Sequence, residues 1–210
     1  MWTLYGSNGS GSAAIEMALL LCERPYRVER ASTWEPDSNL AGLRQANPLG
    51  QIPTLVLDDG RVMSESAAIL IHLGLTHPAS GLLPEDAAAR AQVLRGLVYI
   101  AANCYAAIGI IDYPERWMPG GSQPELQRLR DGARARLHQG WSVFAEQFPA
   151  KQAFLGGAEP GALDLLAAVV SRWSGGRAHL GLQSPEMHAL LLRVEAHPAL
   201  APVFCRHWPG

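Results

Sequence analysis

Cysteine is scarce. Cys22, Cys104 and Cys205 are the only three in 210 residues, and no two of them fall at the C-x-x-C spacing. That excludes a disulfide framework and a zinc pattern, and it fits a reducing, cytosolic setting. Seven scattered histidines form no H-x-x-x-H or H-E-x-x-H, so no metal is expected. Charge of one sign is lacking as well. The 17 Lys and Arg against 19 Asp and Glu leave a net charge of −2, without the basic excess of a nucleic-acid binder. The longest mostly apolar run, Leu97–Ile111, holds 15 residues and is interrupted by Asn103. It falls short of the ~18 to 20 residues that span a bilayer, so a buried helix is expected and no membrane partner. The chain opens on Trp2-Thr3-Leu4-Tyr5 with no basic stretch or cleavage site, which adds to the expectation of a cytoplasmic protein. Neither a G-x-x-x-x-G-K-[ST] phosphate loop nor a G-x-S-x-G nucleophile turn occurs.

What is present is apolar material in two different grammars. Hydrophobic residues make up 48% of the chain and charged ones 17%, enough for a sizeable core. Up to about Thr76, short strands alternate with helices. Trp2–Tyr5 alternates as a strand, Gly6–Ser12 is a Ser/Gly loop, Ala13–Cys22 has helical composition, and Tyr26–Arg30 alternates again. This is a βαβ unit with parallel strands. An irregular stretch with one helix follows, then a hairpin of Thr54–Leu57 and Arg61–Met63 around Asp58-Asp59-Gly60, then a helix over Ser66–Leu75. Beyond the turn-rich segment that holds Pro78, Gly81 and Pro84, only helical periodicity appears. Leu126, Leu129, Ala133, Leu137, Trp141, Phe144 and Phe148 form one face, and Leu94, Val98, Ala101, Tyr105 and Ile108 another. Helices over Leu163–Trp173 and Glu186–Ala196 complete an all-helical second half.

Three short segments carry candidate chemistry. In Asn47-Pro48-Leu49-Gly50-Gln51-Ile52-Pro53-Thr54, a proline stands at the mouth of a strand, where it lacks a ladder donor. It is either a trans proline that starts the strand, or a cis one that leaves the Ile52 backbone facing outward for an extended peptide. Ser64-Glu65-Ser66 stands where the hairpin hands over to a helix. A serine there caps the helix, and the free N–H groups suit a carboxylate while Glu65 suits an ammonium group. The Ser7, Ser10 and Ser12 hydroxyls, interleaved with Gly6, Gly9 and Gly11, lead into the first helix, whose N-terminus favours an anion such as a thiolate.

In this order and spacing, these segments resemble the cytosolic glutathione S-transferase family over essentially the whole chain. The resemblance implies an α/β plus all-α protein: a thioredoxin-like domain (βαβαββα) over residues 1–76, a linker over 77–86 and a helical bundle over 87–210. It implies a homodimer that uses glutathione as co-substrate and transfers its sulfur to a small hydrophobic electrophile. A glutathione-dependent isomerase or dehalogenase, and a non-catalytic binding protein of the same fold, are the alternatives. It implies further that Ile52, beside Pro53, pairs its backbone with the cysteinyl part of glutathione. Glu65 and Ser66 would then hold the γ-glutamyl end, with Gln51 near the glycyl end. Ser10 falls where serine-dependent classes carry their catalytic residue, Gly11 where cysteine-dependent ones do, and Tyr5 is the rival. Tyr105, Ile108, Tyr113, Trp117 and Met118 would line the acceptor site. Two departures stand out. Leu49 and Gly50 supply no basic side chain for the glycyl carboxylate, leaving Arg44 and Trp34 as candidates. The family's Ser/Thr-x-x-Asp cap appears as Gly161-Ala162-Leu163-Asp164, with Asp164 expected to be structural.

Overall fold

The computed structural model describes residues 1–209; Gly210, the last residue of the expected helical part, lies outside the described residues. The first half runs β1 (Trp2–Gly6), α1 (Ser12–Leu21), β2 (Tyr26–Arg30), α2 (Leu40–Ala46), β3 (Thr54–Val56), β4 (Val62–Met63) and α3 (Ser66–Thr76). The strands form one sheet in the order β2-β1-β3-β4. β1 pairs parallel with β2, Leu4 opposite Val28, and antiparallel with β3, Leu4 opposite Leu55. β4 closes the hairpin with Leu55 opposite Met63. Trp2, Leu4 and Gly6 face the core, while Thr3 and Tyr5 point to the other side, as the period of two requires. α1 and α3 pack together over the core face, with Ala13, Ile15, Met17, Ile69, Leu70 and Leu73 buried between them and the sheet. This is the thioredoxin-like arrangement the resemblance implies.

The second half is helical: α4 (Ala87–Tyr99), a π-helical turn (Ile100–Tyr105), α5 (Ala106–Asp112), α6 (Gln123–Gln147), α7 (Ala162–Val170), α8 (Gly176–Gln183), α9 (Pro185–Glu195) and α10 (Ala201–His207). α7 is buried along its whole length and touches α1, α3, α4 and α9, so it joins the two halves in one core. α10 returns to pack on α1.

Two expectations change. The apolar run is not confined to residues 97–111, because the helical stretch Ala87–Asp112 is continuous through Asn103. By length and composition alone, those 26 residues are apolar enough to cross a membrane. One side of the stretch, with Val93, Leu97, Ile100, Cys104, Ala107, Ile108 and Ile111, lies in the core against α6 and α7. The expected face through Leu94 and Val98 is also displaced, since Val98 is 57% exposed. Apolar residues on both sides of this helix leave its periodicity degenerate. A close approach sets the phase instead: a Cβ on Gly96 would stand 2.7 Å from a Leu163 methyl on α7.

Candidate functional site

The loop between β1 and α1 is closed by its own serines. The Ser10 hydroxyl donates to the Ser7 carbonyl at 2.7 Å and accepts from the Ser12 N–H at 3.2 Å, with the Ser12 hydroxyl 2.9 Å away. Ser7, Ser10 and Ser12 are all buried, and the Ser7 Oγ has no partner among the described residues. Gly6 is required for this closure, because a Cβ there would stand 2.5 Å from the Ser12 Oγ. The Ser10 proton is therefore engaged within the loop. Tyr5, half-buried, lies on the sheet face away from Leu4.

The same loop is tied to the far end of the chain. The Gly9 N–H donates to His207 Nδ1 at 3.2 Å, and His207 Nε2 lies 2.7 Å from Glu16 Oε1. The first bond makes Nδ1 the acceptor and leaves the ring proton on Nε2, facing the carboxylate. Glu16, in the middle of α1, also receives Arg206 and the Tyr26 hydroxyl. Burial pushes the Glu16 carboxyl up, but the hydrogen bonds from His207 and Arg206, with the Arg206 charge, outweigh it and hold the group below the usual carboxylate value. Burial and the Glu16 charge push the Tyr26 phenol up to about 12. Trp208 borders Gly9, with the Arg172 guanidinium 4.5 Å above its ring.

The segment before β3 is built locally. The Ile52–Pro53 bond is cis, so of the two open forms the chain takes the one that turns sharply. The Asn47 side-chain amide donates to the Gln51 carbonyl at 3.2 Å and to Thr54 Oγ1 at 3.0 Å, while its Oδ1 accepts from the Leu49 N–H at 3.1 Å. Thr54 Oγ1 donates to the same Gln51 carbonyl at 2.7 Å. Asn47 and Thr54 are buried; Gln51 is exposed and Ile52 half-buried. The exposed Arg44 lies over Gly50, its Nε 3.7 Å from where a Cβ would stand.

At α3 the expected serine cap is corrected. The N-cap residue is the exposed Glu65, at φ 64° and without a side-chain cap, and Ser66 is the first, buried residue of the helix. A left-handed backbone at a non-glycine residue costs on the order of 1–3 kcal/mol and concentrates at functional positions. It leaves the first N–H groups of α3 without a side-chain acceptor.

These parts converge on Tyr105. A Cβ on Gly11, the residue preceding α1, would meet the Tyr105 hydroxyl at 2.5 Å and Pro53 Cδ at 3.5 Å. Burial pushes the Tyr105 phenol up to about 12, with the charges of Glu65 and Asp112 adding to it. Of the other expected wall residues, Tyr113 is half-buried under the Arg116 guanidinium, and Trp117 and Met118 are exposed. Ile108, 4% exposed, is part of the core instead, because the buried side of the helix passes through it. Two hollows of ≈ 280 and ≈ 510 Å³ lie elsewhere, one beside Trp2, Asp59 and His77, the other beside Pro149, Glu186 and Leu190.

Asp164 acts as a structural acceptor. Fully buried, it takes the N–H groups of Leu155 at 2.8 Å and Gly161 at 3.0 Å. Burial outweighs these bonds and pushes its carboxyl up to about 6. A hydroxyl-bearing residue does not fit at Gly161, where a Cβ would stand 2.9 Å from the Leu82 carbonyl.

The sequence places Asn47 and Thr54 at the ends of the proline segment without giving them a role, and it gives none to Glu16 or His207. An Asn-Pro pair with a threonine seven residues on is a usable turn signal for the first two. Nothing in the local pattern signals the last two, which meet across 191 residues.

Residues 12–75 match the family model for the glutathione S-transferase N-terminal domain. The chain is similar to the uncharacterized GST-like protein YncG of Escherichia coli (strain K12), 36% identical over 121 residues, 57% of this chain and 58% of that protein. It is also similar to the maleylacetoacetate isomerase of Rhizobium meliloti (strain 1021), 29% identical over 158 residues, 74% of this chain and 73% of that protein. The chain spans about half the length of several curated relatives it matches, from 41% to 58%. Among solved structures, a glutathione transferase homolog from Sulfitobacter, with bound glutathione, superimposes with a TM-score of 0.81 at 23% identity, over 97% of each chain. That last likeness is one of fold. The matched N-terminal domain thus lies inside a fold that the chain shares with that structure over nearly its whole length.

Proposed function

We propose that the chain binds glutathione across the first half and transfers its sulfur to a hydrophobic electrophile held against the helical half. The observation that carries this reading is the convergence at one point of Gly11 before α1, cis-Pro53 and Tyr105, with the Glu65 charge close by. In this reading residues 1–76 bind the tripeptide, 77–86 link, and 87–210 supply the acceptor wall. The Ile52 backbone pairs with the cysteinyl part, and the uncapped start of α3 at Ser66 takes the γ-glutamyl carboxylate while Glu65 takes its ammonium group. Gln51 and Arg44 flank the glycyl end. Tyr113, Trp117 and Met118 give the acceptor an aromatic and apolar wall. The working form is a homodimer, and light scattering at micromolar concentration tests that part separately: a mass near 22.6 kDa would reject it.

The similarity to maleylacetoacetate isomerases favours one second reading, in which glutathione is used but not consumed. Turnover of a chlorinated aromatic to a stable adduct supports the transferase; product without an adduct supports the isomerase. Retention on immobilised glutathione tests what both readings share. The parent chain is expected to be retained and the Glu65→Ala/Ser66→Ala variant to pass through, with unchanged helical circular dichroism. Equal retention of both would remove the assignment of that turn.

A further inference from the structure

We propose that the Tyr105 hydroxyl, reaching from the helical half over Gly11, is the hydrogen-bond donor that stabilises the glutathione thiolate. This rests on the glutathione-binding reading above and adds to it the catalytic residue. The argument begins with position. The hydroxyl stands where a side chain on Gly11 would begin, 2.5 Å from that Cβ, at the start of α1 and beside Pro53. A sulfur held by the Ile52 backbone in front of α1 has this hydroxyl as its neighbour. Gly11 and Tyr105 are thus a matched pair, since any larger residue at 11 displaces the phenol.

Availability is the second step. Among the described residues the Tyr105 hydroxyl makes no hydrogen bond, whereas the Ser10 proton is engaged by the Ser7 carbonyl and Tyr5 lies across the sheet. The ring is also held in place. It packs on Trp173 with centroids 5.6 Å apart and planes at 32°, and it ends the π-helical turn Ile100–Tyr105, a local widening often found at functional positions. A phenol pushed up to about 12 by burial keeps its proton at neutral pH, so it serves as a donor and not as a base. The proton of the thiol leaves to water, and the sulfur, now carrying the electron pair, accepts from Tyr105 O–H. No covalent bond forms to the protein.

Tyr105→Phe removes the donor and little else. Ultraviolet absorbance of the bound thiolate, titrated with pH, is expected to show the thiol pKa rising by about one to two pH units. Turnover at neutral pH should fall about ten- to a hundredfold, while calorimetry shows glutathione bound with little change in affinity. Gly11→Ala, which pushes the hydroxyl aside, should move the titration in the same direction without altering the tyrosine. Tyr99→Phe, on the same helix but donating to the Gly140 carbonyl, should leave it unmoved. An unmoved titration in Tyr105→Phe overturns the proposal, and a rise in Ser10→Ala alone would return the role to the serine. If the parent chain binds no glutathione by calorimetry, the binding reading fails and takes this one with it. If it binds and Tyr105→Phe is silent, only the Tyr105 assignment fails.

Discussion

The loop Ser7–Ser12 and the segment Asn47–Thr54 both lead into elements of the sheet half, yet different parts of the chain hold them. The first is covered by the other half of the molecule: His207 on Gly9, Trp208 beside it, Tyr105 over Gly11. The second is closed by Asn47 and Thr54, which belong to the segment itself. The lesson concerns coupling. Whatever moves α10 or the π-helical turn should be felt in the first loop and not in the second.

His207→Leu is the strongest way to break that contrast. It strips Glu16 of one partner, leaving the carboxylate with Arg206, and takes the acceptor from the Gly9 N–H, two lost bonds that together cost about 2–4 kcal/mol. Hydrogen exchange should quicken at the Gly9 amide and stay as it was at Leu49. Equal loosening of both loops would dissolve the distinction.

The two buried carboxylates repeat the contrast and give it opposite pH signs. Glu16 has a guanidinium and an imidazole N–H from a distant element, and its carboxyl is held low. Its contribution is full above the unfolded value of ~4.3 and is lost as pH falls through its folded one. Asp164 has only nearby backbone N–H groups, and its carboxyl is pushed up to about 6. Its contribution is full below the unfolded value of ~3.9 and is lost as pH rises through about 6, a difference of roughly 3 kcal/mol. Denaturant midpoints between pH 4 and 7 should therefore decline less with rising pH in Asp164→Asn than in the parent. In Glu16→Gln the loss of stability toward acid should be smaller than in the parent.

Asn47→Ala sharpens the comparison from the other side. It frees the Leu49 N–H and leaves the Gln51 carbonyl with the Thr54 hydroxyl alone, with an expected loss of about 1–3 kcal/mol. Exchange should rise at Leu49, not at Gly9, and glutathione affinity should fall while the thiol pKa of what still binds is unchanged.

These two loops also mark how much was legible in the sequence. The order of strands and helices up to Thr76 follows from alternation and turn residues, and the proline at 53 announced an unusual turn. Local chemistry of that kind is written in adjacent residues. The displaced face of α4, the short α8 and α10, and the His207–Glu16–Gly9 link are not. α10 carries Pro202 near its start and only seven residues, too few for a period to show, and it is held by packing on α1. Tyr105 stands on an apolar helical face in the sequence, but nothing there marks it as a neighbour of Gly11, because the π-helical turn and a contact across 94 residues decide where its hydroxyl points.

Arg44→Ala is the mildest test. Its exposed guanidinium over Gly50 should add about two- to fivefold to glutathione affinity, an effect that fades with added salt.

The most direct measurement of the central claim is an amide chemical-shift map of the nitrogen-15-labelled chain titrated with glutathione. The account expects the largest shifts at Gly11, Ile52 and Ser66, with Tyr105 moving in the same titration and the groove beside Pro149 and Leu190 silent. Shifts confined to that groove, or none at saturating glutathione, would contradict it.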